Sequence, residues 1–111
     1  MKTSLLIPIL SLVLLLPVPA TAQSETGEQA IRDLGALNGM ALECGYVEQV
    51  RRMKKAMIDF APKSRHYGSV FEQSTNRGFL SFIKEKRPCP TEVTVEAKVD
   101  KAVESLEKAF Q

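Results

Sequence analysis

The feature that most constrains the fold is the spacing of apolar residues, which recur every three or four positions in four separate segments. An α-helix turns once every 3.6 residues, so this spacing places the apolar side chains on one face of a helix. The second segment shows it most clearly, at Tyr46, Val50, Met53, Met57 and Phe60. No segment alternates apolar and polar residues for long enough to predict a strand. The sequence therefore predicts an all-α fold, a small four-helix bundle.

The ends of the helices are marked by residues with known terminal preferences. Gly45 stands where a helix C-terminus favours a left-handed residue, and Pro62 ends the second helix because it disfavours helical geometry in the residue before it. Ser64 is expected to cap the third helix, and Thr91 or Thr94 the fourth. The remaining residues predicted to face the core are Ile31, Leu34, Leu37, Ala41 and Cys44, then Val47, Ile58 and Ala61, then Tyr67, Val70, Phe71, Phe79, Phe82 and Ile83, then Val95, Val99, Val103, Leu106 and Phe110.

Glycines interrupt two of these helices. Gly35 and Gly39 lie inside the first, where each costs up to about 1 kcal/mol relative to alanine. Either they are weak points, or they let another helix approach closely, and we favour the packing interpretation. Gly78 follows Asn76-Arg77 in the third helix, and a bend or a close helix crossing is favoured there over a surface pocket beside Phe79.

The first 22 residues predict a secretory signal peptide. Met1-Lys2 supplies a positive charge, Leu5 to Leu16 is almost wholly apolar, and Ala20-Thr21-Ala22 offers small residues for cleavage before Gln23. The apolar run is shorter than the roughly 20 residues that a membrane-spanning helix needs. We therefore expect a protein of the periplasm, or a secreted one, that does not span the membrane.

The mature chain is expected to form one domain with an uneven charge. Residues 23–27 are polar and predict a flexible N-terminus, and residues 28–111 predict the helical domain. Residues 23–50 hold one base and five acids, residues 51–87 ten bases and three acids, and residues 88–111 three bases and five acids. This order favours internal charge pairing or an anionic partner, and the small overall charge does not indicate a nucleic-acid-binding protein.

Two cysteines, Cys44 and Cys89, are expected to form a disulfide in an oxidising compartment. Closing a loop of this length stabilises a small domain by roughly 4 kcal/mol. A reactive thiol or a metal-binding pair are the alternatives. Neither is favoured, because the chain has no Cys-x-x-Cys motif and no histidine at ligand spacing from either cysteine.

A cluster of bases on the second helix is the main candidate for binding. We call Arg51, Arg52, Lys54 and Lys55 the basic strip. Such a run is usually only a solvated face; the functional alternative is a surface for an acidic protein or another anionic envelope partner. If the third helix folds back alongside the second, Lys63, Arg65 and Arg77 would extend the strip. The residues that we expect to contact a partner are Arg51, Arg52, Lys54, Lys55, Arg77 and Phe79.

No pattern in the chain indicates catalysis. Met40, Met53, Met57 and His66 suggest a copper site, but methionine is also a common core residue and that interpretation is favoured. His66 has no serine, cysteine or carboxylate at a recognisable catalytic spacing. We therefore expect no enzyme activity, no cofactor and no metal site.

Several motifs occur in the following order along the chain: Leu34-Gly35-Ala36-Leu37, Cys44-Gly45, Met57-Ile58-Asp59, Ala61-Pro62, Asn76-Arg77-Gly78-Phe79 with Phe82, and Cys89. This layout resembles a family of small exported alphaproteobacterial proteins of uncharacterised function. The likeness covers about residues 30–90 and implies a helical fold with one disulfide, but no activity. The chain departs from that family in having Val50 where a Trp is expected in the second helix, and in a slightly shorter span between the two cysteines.

The function predicted from the sequence is that of a periplasmic helical binding or accessory module, with a homo-oligomer also possible. The first alternative is an acid-stress periplasmic chaperone of the HdeA type, which is similar in architecture only. Such a protein would loosen as its carboxylates are protonated and would expose Met and Phe side chains. The second alternative is a small enzyme or a metal-binding protein.

Overall fold

The computed structural model describes residues 20–111, and the side chains from residue 25 onward. The predicted all-α fold is confirmed, because this range forms a small bundle of four helices and contains no strand. Residues 1–19, most of the predicted signal peptide, lie outside the described residues. The helices are α1 (Ala20–Glu43), α2 (Val47–Phe60), α3 (Arg65–Lys84) and α4 (Glu92–Ala109).

The predicted helix ends are confirmed. The Ser64 side chain accepts a hydrogen bond from the backbone N–H of Tyr67 at 3.2 Å. Of the two candidate caps for α4, Thr91 takes the role and accepts from the N–H of Thr94 at 3.3 Å. Gly45 has a φ of 75°, the left-handed conformation expected after a helix. At its other end α1 includes residues 23–27, and the flexibility of that segment stays a prediction.

The central helix is α1, since among the described helices it packs against each of the other three, whereas α2 also packs against α4. Chain directions follow from side-chain contacts. Glu28 of α1 pairs with His66 near the start of α3, and Gly39 lies against Phe79 farther along α3, so these helices run parallel. Gly27 lies against Phe110, so α4 runs antiparallel to α1.

The apolar core lies between α1, α2 and α4. The large side chains with no exposed surface there come from these three helices: Ile31, Leu34, Met53, Val95, Val99 and Leu106. From α3, Phe71 and Phe82 are buried at the edge of this core, each with less than a tenth of its surface exposed. The prediction of which helix faces are buried is thus confirmed for the residues in the middle of each face.

Three residues predicted to face the core are instead exposed: Val47 by 64%, Ile58 by 66% and Ile83 by 46%. Periodicity defines the middle of an apolar face but not its width. Among the described helices, α2 packs against α1 and α4, and the backbone of α3 comes close to that of α1, so the buried faces of α2 and α3 are narrower than their apolar residues suggest.

The interface between α1 and α3 is built from small residues, as the glycines of both helices predict. A Cβ atom on Gly35 would lie 2.5 Å from the Cβ of Ser74, and one on Gly78 would lie 2.6 Å from the carbonyl oxygen of Ala36. No side chain can occupy these positions without moving a helix. The predicted close helix crossing is therefore confirmed at Gly35, Gly39 and Gly78.

The predicted disulfide between Cys44 and Cys89 is confirmed, with a Cα–Cα distance of 5.7 Å. It joins the end of α1 to the segment between α3 and α4. Beside it, the Tyr46 hydroxyl donates a hydrogen bond to the carbonyl oxygen of Pro90 at 2.5 Å. Two links therefore hold the segment that follows α3 against the α1–α2 turn.

Candidate functional site: a basic cleft between three helices

A cleft of about 740 Å³ opens where α3 and α4 both pack against α1. Its floor is apolar and consists of Ala36, Leu37 and Met40 from α1, with Phe82 from α3. The cleft exists because no Cα atom of α3 comes within 8 Å of a Cα atom of α4 along the described chain. Its volume lies within the range of about 300–1,000 Å³ that is typical of ligand sites.

Small residues keep the cleft open. Ala36 is exposed and has only a methyl group, and Gly78 has no side chain, so neither residue fills the space above the close contact of α1 with α3. Pro88 and Pro90 flank Cys89 and close one end. Because the disulfide and the Tyr46 hydrogen bond fix this segment, the wall at that end is held in place.

Four bases line the cleft: Arg32 from α1, Arg77 from α3, Arg87 from the segment after α3, and Lys98 from α4. Asp33 is the acid in the same lining, so the local charge is four minus one, or +3. A concave surface lined by one sign of charge concentrates its field and attracts ions of the opposite sign. The cleft is therefore suited to an anion that also carries apolar groups.

The four bases differ in what they already contact. Arg32 pairs with Glu28 at 3.1 Å. Arg87 pairs with Glu85 at 2.6 Å and lies over the Phe82 ring, 5.4 Å from its centroid. Arg77 and Lys98 form no ion pair with any described residue. They stand on opposite walls of the cleft, on α3 and α4, and are free to bind a ligand.

The basic strip on α2 has a different character. Arg51 pairs with Glu48, Arg52 with Asp100 and Gln49, and Lys55 with Asp59. Lys54 is exposed and forms no ion pair with a described residue. These pairs are at the surface, where each contributes about 0–1 kcal/mol. They nevertheless compete with a partner for three of the four bases in the strip.

The expectation that α3 would extend the basic strip is wrong. No described Cα atom of α3 comes within 8 Å of one in α2, because the glycine contacts place α3 along α1. Arg77 therefore belongs to the cleft rather than to the strip. Lys63 donates instead to the carbonyl oxygen of Ile58 at the end of α2.

Phe79 is half-buried and its backbone N–H lies against Gly39, in the contact between α1 and α3. The residue does not line the cleft, although Gly78 and Phe82 on either side of it do. Phe79 thus takes part in helix packing, and the structure does not bring it together with Arg77 in one site.

Sequence reasoning missed three of the four bases in the cleft. Arg32 and Lys98 lie far apart in the chain, and Arg87 precedes the Pro88-Cys89-Pro90 turn. No local motif joins them. The one signal in the sequence for part of the site is the position of Arg87. It lies directly before a turn that the disulfide holds in place, so its backbone has a fixed position from which to bind a ligand.

Near the start of α1, Glu28 joins α1 to α3 through its contact with His66. The hydrogen bond from His66 lowers the pKa of the Glu28 carboxyl below its ordinary value, and Arg32 on the same helix lowers this pKa further. The carboxylate is half-buried, whereas His66 is exposed. This contact links the two helices at the end opposite to the disulfide.

The methionines of the suggested copper site lie in or against the apolar core: Met40 and Met53 are buried in it and Met57 packs against it, as the core interpretation predicts. Met40 also lines the cleft. Across the described residues, no three His, Cys, Asp or Glu side chains converge as metal ligands. The same part of the chain contains no helix that is long and apolar enough to cross a membrane.

Comparisons with models of protein families, with curated proteins and with solved structures give no match. The resemblance to the family of small exported proteins accordingly stays a prediction. The functional argument therefore depends on the cleft, its charges and its contacts.

Proposed function

We propose that the protein is a helical binding or accessory module of the periplasm, without catalytic activity, which binds an anionic partner in the basic cleft. The observation that supports this most is the combination of an apolar floor with four bases in one concave surface. An apolar floor gives a ligand buried contact area, and the bases give it orientation and a preference for negative charge.

The cleft is favoured over the basic strip for a physical reason. Arg77 and Lys98 have no ion pair with a described residue, whereas Arg51, Arg52 and Lys55 each have one. A partner that binds the strip would have to displace existing ion pairs. A partner that binds the cleft through Arg77 and Lys98 would displace no ion pair with a described residue.

A comparison of two charge reversals tests this proposal. The first variant combines Arg77→Glu with Lys98→Glu in the cleft, and its matched control combines Arg51→Glu with Lys54→Glu on α2. Each changes the net charge by the same amount at exposed residues. Binding of the anionic probes dodecyl phosphate and poly-glutamate is measured at increasing salt.

The proposal requires that an anionic probe, one of these two or an acidic amphipathic peptide, binds the wild-type protein, that added salt weakens binding, and that the cleft variant alone loses it. If none of the three binds, the proposed function is wrong. If the control variant loses binding and the cleft variant keeps it, the partner surface is the basic strip.

The periplasmic location has its own test. Mass spectrometry of the protein after expression of the full chain is expected to show an N-terminus at Gln23, or its cyclised form, with the two thiol hydrogens missing. A protein that stays in the cytoplasm with its first residues intact would contradict the location.

A second candidate function is an acid-stress chaperone, and the contact between Glu28 and His66 is the observation that favours it. The contact joins α1 to α3, and protonation of this carboxylate would remove it. Loosening of α3 would expose Phe71 and Phe82. The test is the binding of a hydrophobic dye between about pH 2 and pH 7, since acid states with loosened packing bind such dyes. No gain of dye binding in acid would eliminate this candidate.

A further inference from the structure

We infer that the partner bound in the cleft is an acidic amphipathic helix of another protein. This inference rests on the proposed function and names the class of its ligand. Three properties of the cleft support it: the distribution of its bases, the composition of its floor, and the secondary structure of its walls.

The bases are distributed around the cleft rather than gathered at one end. Arg32 lies toward the start of α1, Arg77 and Lys98 stand on the two walls, and Arg87 lies at the end closed by the prolines. A ligand with a single anionic head could contact one of the two bases without an ion pair, Arg77 or Lys98, and would leave the other without a counter-charge. A ligand with carboxylates along both sides complements both, and also approaches Arg32 and Arg87, which already pair with Glu28 and Glu85.

The floor is suited to apolar side chains that follow one another along a groove. Leu37 and Met40 are spaced by three residues on α1, and Phe82 faces them from α3. An amphipathic helix presents apolar side chains at similar three- and four-residue intervals, which is how helices bind in grooves between helices. Methionine in the floor can adapt its shape to different apolar groups.

The walls decide between a helical and an extended partner. The two walls and α1 in the floor are helices, whose backbone N–H and C=O groups are already used within the helix. An extended peptide would find no strand edge to pair with and would bury unsatisfied backbone groups on the apolar floor. A helical partner satisfies its own backbone and would pack beside α1, between α3 and α4.

Three synthetic peptides of about 18 residues test this inference, since shorter isolated helices are marginal in water. The first has leucines at three- and four-residue spacing with glutamates on both flanks. The second has the same composition in an order without helical periodicity. The third carries lysine in place of glutamate. Dissociation constants are measured with the full, disulfide-linked protein.

The expected result is that the periodic acidic peptide binds, and that the reordered and lysine peptides bind weaker by at least about tenfold. Circular dichroism should show that the acidic peptide gains helix on binding. Ala36→Trp, which fills the floor at an exposed position, should weaken binding to a similar degree. Its matched control is Ala97→Trp, on an exposed part of α4 that does not line the cleft.

Other results would overturn the inference. If the reordered peptide binds as tightly as the periodic one, the cleft recognises charge alone, and the proposed function stands without the helix. If dodecyl phosphate binds in the cleft and the peptides do not, the ligand is an amphiphile with one anionic head. If no anionic probe binds, this inference and the proposed function are both wrong.

Discussion

Helix α1 packs against its neighbours in two different ways. Toward α2 and α4 it presents Ile31 and Leu34, which are fully buried among other large apolar side chains. Toward α3 it presents Gly35 and Gly39, where the two backbones nearly touch. The first contact is stabilised by burial of apolar area. The second depends on the absence of side chains, so a single added carbon atom is enough to disturb it.

This difference explains why a cleft exists at all. Helix α4 packs against α1 and α2 through one buried face that carries Val95, Val99 and Leu106. Among the described helices, α3 packs along α1, and no Cα atom of α4 comes within 8 Å of one in α3; the rings of Tyr67 and Phe110 meet just after α4 ends. The space left between α3 and α4 is the basic cleft, and the glycine contacts thereby determine where Arg77 stands relative to Lys98.

A polar pair adds to the specificity of the second contact. Asn38 is 1% exposed, and its Nδ2 donates a hydrogen bond to the hydroxyl oxygen of Thr75 at 3.1 Å. Its Oδ1 atom is buried and has no hydrogen-bond partner among the described residues. Because unpaired buried polar atoms are costly, this pair favours one register between α1 and α3 over others.

The largest expected effect is in the core. Met53→Asp places a charge in a fully buried position without a partner, which costs several kcal/mol, and we expect the domain to unfold. Ile58→Asp on the same helix is the control, since Ile58 is 66% exposed and its loss should change stability little. Circular dichroism during thermal unfolding measures both. A folded Met53→Asp variant would show that the core is assigned wrongly.

The disulfide should have the next largest effect. Replacing Cys44 and Cys89 together with serine is expected to lower the free energy of unfolding by roughly 4 kcal/mol, because the unfolded chain gains entropy. Denaturant titration of the oxidised and the substituted proteins gives the difference. Equal stability of the two would mean that the bond contributes nothing to the fold.

A pair of glycine substitutions tests the comparison between the two contacts of α1. Gly39→Ala should destabilise the protein by about 1–3 kcal/mol, because the new Cβ meets the α3 backbone at Thr75 and Phe79. Gly68→Ala on α3, where nothing lies within 4 Å, should stabilise it by about 0.4–1 kcal/mol. Both substitutions raise the helix propensity. If one lowers the free energy of unfolding and the other raises it, the difference between them comes from packing. Two stabilising substitutions would contradict the close approach of α3.

The smallest expected effect concerns acid. The lowered pKa of Glu28 means that the folded protein holds this proton less tightly than the unfolded chain. Its contribution to stability is therefore present above the ordinary value of 4.5 and is lost as the pH falls through the lowered value. Glu28→Gln should reduce the acid-dependent loss of stability. The control is Glu25→Gln, at an exposed position without an ion pair to a described residue, which should leave the acid-dependent loss of stability unchanged. If the stability of the two variants depends on pH in the same way, the role of Glu28 is contradicted.

Much of the fold could be predicted from the sequence because its causes are local. The spacing of Val95, Val99 and Leu106 defines a helix face, and Ser64 and Thr91 act on the residues directly after them. The glycines could be assigned to close packing, but not to a particular partner helix. Periodicity shows which face of a helix is apolar and says nothing about which other helix covers it.

The candidate site could be predicted only in part for the same reason. The sequence indicates Arg77 as a candidate but associates it with the basic strip of α2. The packing of α3 on α1 depends on contacts between distant residues, which a local pattern does not show. Arg77 joins Arg32 in one cleft only through that packing, and Lys98 joins them through the packing of α4 on α1. In the sequence these residues are single bases without a motif. They form a candidate site only when the packing of three helices brings them together.

The central claim is that an anionic partner binds in the cleft between α1, α3 and α4. Nuclear magnetic resonance of the full, disulfide-linked protein during titration with the periodic acidic peptide tests it residue by residue. We expect the largest shifts at the backbone amides of Ala36, Gly78 and Ser81, with little change along residues 51–55 of α2. Shifts confined to residues 51–55, with the cleft amides unchanged, would contradict the account.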